Sequence, residues 1–77
     1  MANLDPVAGI AIRVARKAAG LSQAKLARAC GVSVRHIAAV ERDGSGLTLD
    51  LLRRIVHELP ALQPPDVAAA LLRTFAA

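Results

Sequence analysis

Apolar residues recur along this chain at intervals of three and four rather than two, a spacing that predicts helices throughout. In "LDPVAGIAIRVARKAAG" the stripe is Ile10, Val14 and Ala18. Asp5 is expected to cap that first helix, with Pro6 at the first helical position, where its missing N–H costs nothing. Gly20 then supplies a left-handed residue that ends it. Ser22 is expected to cap a second helix running to about Ala29, and Gly31 to end it. Ser33 is expected to cap a third helix running to about Glu41. "RDGSG" reads as a loop of turn-forming residues. Thr48 is expected to cap a fourth helix with Asp50 in its first turn, where the helix dipole favours negative charge. Its buried stripe is expected at Leu49, Leu52, Ile55, Val56 and Leu59. The prolines of "LPALQPP" stop it. Asp66 then starts a fifth helix with apolar stripes at Val67, Leu71 and Phe75 and at Ala68 and Leu72.

Composition agrees with this pattern and limits the core. The 77 residues are 55% hydrophobic but only 1% aromatic, and alanine and leucine are the best helix formers. One all-α domain spanning residues 1–77 is expected, without repeats or internal linkers. Alanine buries little area, so the core is expected to be thin and oligomerisation to add stability. Residues 1–42 hold seven basic and two acidic side chains, whereas residues 43–77 hold three and four. A basic N-terminal half suits contact with a polyanion. The lone Cys30 allows no intramolecular disulfide and fits a reducing cytoplasm. No basic-then-apolar leader opens the chain, and no apolar run approaches the ~20 residues of a membrane span.

The stretch "SQAKLARACGVSVRHIAAVER" carries the specific signal. Two short helices meet at Gly31, where the sharp turn needs a positive φ that side chains resist. Ala27 sits at the crossing, where a larger residue would hold the helices apart. Leu26, Cys30, Val32, Ile37 and Val40 are the apolar positions that join them. This is the pattern of a helix-turn-helix. Gln23, Ala27, Gly31, Val32, Ser33, Ile37 and Glu41 together resemble the signature of the lambda-repressor-like (Cro/Xre) DNA-binding family. The likeness extends to "RKAAGLSQ" and "LTLDLLRRIVHEL" and covers about residues 7–59. It implies a compact five-helix fold, with helices two and three forming the helix-turn-helix.

The resemblance also implies roles for individual residues. Arg16 is expected to pair with Glu41 and to face a phosphate. Gln23 is expected to grip the DNA backbone, together with Ser22 and the exposed N–H groups of the same helix end. Val34, Arg35 and Ala39 fall on base-contacting positions, with Ser33, His36 and Arg42 nearer the backbone. Arg35 is the favoured reader, since a guanidinium can bond guanine O6 and N7 together. The loop after Arg42 departs from the family's habit of placing cations there: "DGSGL" holds none. The function expected is a sequence-specific transcriptional regulator, a repressor binding an inverted-repeat operator on double-stranded DNA. The resemblance places it in a bacterial or phage-encoded cytoplasmic protein, on the nucleoid when bound.

A homodimer is expected through residues 61–77 and the end of the fourth helix, using Leu51, Leu62, Val67, Leu71, Leu72 and Phe75. No cofactor, metal or small-molecule ligand is expected. Cys30 falls on a buried stripe, His36 and His57 lie on different helices, and no nucleophile has a base nearby, so no enzymatic activity is expected. Two alternatives remain open: the antitoxin of a toxin–antitoxin pair, and a protein-interaction module that no longer binds DNA.

Overall fold

The computed structural model describes the backbone of residues 6–76 and the side chains of residues 7–73. Asp5, expected as a cap, and the Phe75 side chain, expected in the dimer surface, lie outside the described residues. The described residues fold into five helices: α1 (Pro6–Ala18), α2 (Gln23–Cys30), α3 (Val34–Asp43), α4 (Leu49–Glu58) and α5 (Pro65–Ala76). A single 3-10 turn at Pro60–Leu62 connects the last two. Among the described residues there is no strand, and no helix is long and apolar enough to cross a membrane.

Local chemistry sets most helix starts. The hydroxyls of Ser22, Ser33 and Thr48 accept the N–H of the residue three further on, Lys25, His36 and Leu51, at 3.0, 3.0 and 3.1 Å. Such a cap satisfies an N–H that the helix leaves without a partner and contributes about 1 kcal/mol. Gly31 adopts φ +72°, so the chain reverses at once and the Val32 N–H reaches back to the Ala27 carbonyl at 3.0 Å. α3 runs two residues beyond its expected end at Glu41 and α5 begins one residue early, at Pro65.

The core gathers Ile12, Leu26, Ile37, Leu52, Ile55 and Leu59, all fully buried. Each contributes about 1.5–3 kcal/mol through the area it withdraws from water. α1 lies against α3 and the 3-10 turn, α2 against α3 and α4, and α5 on α4. The stripe expected on the first helix is overturned. Ile10 and Val14 are 58% and 63% exposed and Ala18 is exposed, while Ala8, Ile12 and Ala15 face inward. Both series have helical spacing, so periodicity alone does not choose between them.

Gly9 makes the choice. A Cβ built on Gly9 would collide with the Val40 carbonyl oxygen and lie 3.1 Å from that of Glu41. Only a bare backbone allows α1 to rest this closely on α3, and that contact turns Ile12 and Arg16 inward. Alanine normally improves a helix interior by about 1 kcal/mol over glycine. Here overpacking against rigid backbone outweighs that gain, because forcing atoms into a filled site costs about 1–3 kcal/mol. Gly9→Ala is therefore expected to lower the urea midpoint of unfolding; an unchanged or raised midpoint would contradict the close crossing.

The fourth-helix stripe is also rotated from its expected position. Leu49 is 39% exposed and Val56 half-buried, and Leu51 takes the inward place beside Leu52, Ile55 and Leu59. Leu51, Leu62 and Leu71, all expected in a dimer surface, are buried in the monomer's own core. A side chain already removed from water gains nothing further by association. Of that expected set, Leu72 is exposed and Val67 half-buried.

Candidate nucleic-acid interface

α2 and α3 are held together from behind by apolar contacts, and their outward side mixes cations with small apolar side chains. Leu26, Ala27 and Cys30 of α2 and Ile37 and Val40 of α3 are buried, while Val32 in the turn is half-buried. Burial pushes the Cys30 thiol up, and the charge of Glu58 adds to the effect. Cys30 is therefore a neutral packing residue at ordinary pH. Arg54 on α4 donates to the Cys30 carbonyl at 3.1 Å and to Asp50 at 3.0 Å. It binds the last turn of α2 to α4, a role with no signal in local patterning because 24 residues separate the partners.

Behind the face lies a buried polar cluster. Arg16 Nε donates to Glu41 Oε2 at 2.6 Å and Arg16 Nη2 to Glu41 Oε1 at 3.0 Å. Arg16 Nη1 donates to the Leu21 carbonyl at 2.8 Å, and Gln23 Nε2 donates to Glu41 Oε1 at 3.1 Å. The pair thus joins α1 to α3, and Gln23 adds the first residue of α2 to the same carboxylate. The two side chains expose only 9% and 4% of their surface. The geometry makes Arg16 first a structural tie: three of its donors are used inside the protein.

Side chains on α3 divide by direction. Arg35 is exposed, Val34 is 45% exposed, and Ala38 and Ala39 are half-buried. No ion pair or hydrogen bond within the described residues occupies the Arg35 guanidinium. His36, expected to point outward near the DNA backbone, is half-buried instead. Its Nε2 lies 2.8 Å from the Gly46 carbonyl, to which it donates, since a carbonyl can only accept. His36 therefore fastens the α3–α4 loop to α3. Ser22 and Ser33 use oxygen lone pairs as caps, and each hydroxyl keeps a proton that can be donated to a phosphate.

The loop after α3 is held by Asp43, whose Oδ1 accepts the Ser45 N–H at 2.9 Å. Hydrogen bonds from Ser45, with Arg42 alongside, keep the Asp43 carboxyl below its ordinary range. Asp43 is consequently charged at neutral pH and sits 3.5 Å from Arg42 Nε. Two cations that sequence patterning does not single out, Arg13 and Lys17 of α1, line a cleft with Gln23 and Arg42. Their spacing of four places them on one helix face, but only the orientation set at Gly9 shows which way that face points.

Residues 12–72 match the model of a helix-turn-helix family of the Cro/C1 type. The chain belongs to that family. No match is found among individually curated proteins. As a helix-turn-helix protein of this type, it is an all-α, lambda-repressor-like DNA-binding domain. α2 and α3 are the helix pair of its motif, and α1 braces both through Arg16.

Proposed function

We propose that this chain is a sequence-specific transcriptional repressor that binds an inverted-repeat operator as a homodimer. The observation that carries the reading is Arg35: a guanidinium on α3 that is exposed and has no ion-pair partner among the described residues, flanked by exposed Val34 and anchored behind by fully buried Ile37 and Val40. A helix held this way can enter the major groove with Arg35 toward guanine and with Val34 and Ala39 toward thymine methyls. Gln23, Ser22 and Ser33 then meet phosphates that set its register.

A second copy is supported by apolar surface that the monomer leaves in water. Ile10 and Val14 on α1 and Leu72 on α5 are exposed. A groove lined by Ala11, Val67 and Ala70 joins the two helices. This surface replaces the buried Leu51, Leu62 and Leu71 as the proposed dimer face, and it extends that face from α5 onto α1. The antitoxin reading rests on the same stripe, with a partner protein in place of a second copy. Selection of bound duplexes from a random pool separates the two for the purified chain. Enriched inverted repeats with half-sites about one helical turn apart, roughly 34 Å, are the expected result. Enrichment of single half-sites only would contradict the homodimer.

A further inference from the structure

We infer that the cleft enclosed by α1, α2 and α3 is a seat for a backbone phosphate of duplex DNA, gripped by Arg13, Lys17 and Arg42 beside the reading helix. The inference rests on the DNA-binding reading above and adds two residues of α1 to the contact surface. The cleft measures about 370 Å³ and has the methyl of Ala38 among its lining groups. A small side chain there leaves the space open. Four cations and one carboxylate line it. Arg16 neutralises that carboxylate, Glu41, through two hydrogen bonds. The charge left over comes from Arg13, Lys17 and Arg42, all exposed.

Among the described residues no carboxylate pairs with Arg13 or Lys17, and the one beside Arg42 is exposed and 3.5 Å away. Such cations are available to a phosphodiester, whereas the committed donors of Arg16 make it a positioning residue. Gln23 shares the arrangement: one amide N–H goes to Glu41 Oε1, and its second N–H remains for the ligand. No aromatic ring lines the wall and four of its seven residues are cationic, so it suits anionic oxygens rather than a base.

The test is the salt dependence of binding between the full chain and a short random-sequence duplex. Each lost phosphate contact lowers the steepness of log K against log salt by about 0.9. Arg13→Gln/Lys17→Gln takes two of the three cations from this one phosphate seat and is therefore expected to reduce the slope by up to about 0.9 while leaving the melting curve in place. Arg53→Gln/Arg73→Gln removes the same charge from exposed positions on α4 and α5 and is expected to leave the slope unchanged. Ala38→Leu, which fills the cleft without changing charge, is expected to weaken binding several-fold. Equal slopes for wild type and Arg13→Gln/Lys17→Gln, or equal losses in the two double variants, would overturn the inference and leave the DNA-binding reading standing. Failure of the wild type to bind the duplex even at about 50 mM salt would overturn both. Tight saturable binding of inorganic phosphate at matched ionic strength would reassign the cleft to a free anion.

Discussion

Glu41→Ala is expected to cost about 3–5 kcal/mol of stability, because it leaves a buried arginine without its counter-charge. The same change removes the acceptor of the Gln23 amide, so three helices lose their common polar tie. At roughly 0.05–0.15 kcal/mol per residue, a chain of 77 residues has about 4–12 kcal/mol in all. A loss of this size threatens the folded state itself. In a thermal melt it corresponds to a fall of at least about 12 °C, at about 4–8 °C per kcal/mol for a domain this small. Replacing both partners, Arg16→Met/Glu41→Leu, is expected to cost less than the single change, since no unpaired charge stays buried. A drop of only a few degrees for Glu41→Ala would mean the pair acts like an exposed surface ion pair.

Arg35→Ala is expected to act on recognition and not on folding. Its side chain is exposed and ties no element to another, so its loss leaves the core untouched. A bidentate contact to guanine provides about 1–3 kcal/mol of discrimination at each half-site, roughly 5- to 150-fold. The remaining α3 surface is apolar or small, with Val34, Ala38 and Ala39, and these side chains discriminate chiefly through thymine methyls. The lack of a cation in the Asp43–Leu47 loop removes one source of phosphate affinity, and charged Asp43 further reduces the field of Arg42. Affinity then depends more heavily on the α1 cations and on the two-fold spacing of half-sites.

What could be read from the chain follows the range over which each interaction acts. The caps at Ser22, Ser33 and Thr48 reach three residues, and their sequence signals locate the helix starts. Gly31 and the apolar positions around it are similarly local, and they define the helix-turn-helix. The inward face of α1 was not legible, because Ile10–Val14–Ala18 and Ala8–Ile12–Ala15 have equally good spacing. Contact of Gly9 with backbone more than thirty residues away, at Val40, decided between them. His36 looked outward for the same reason: its partner is a loop carbonyl whose path depends on the tertiary fold. The Arg16–Glu41 pair was legible only through family resemblance, since 25 residues separate it. Arg13 and Lys17 became candidates for contact only once the orientation of α1 was known.

The most direct test of the central claim, that α3 reads DNA through Arg35, is the ratio of affinities for a selected operator and a scrambled duplex at one fixed salt concentration. The ratio is to be measured by fluorescence anisotropy for the wild type and for Arg35→Ala. Arg35→Ala is expected to lower the ratio by at least about fivefold while the scrambled duplex still binds. A ratio unchanged by Arg35→Ala would contradict it.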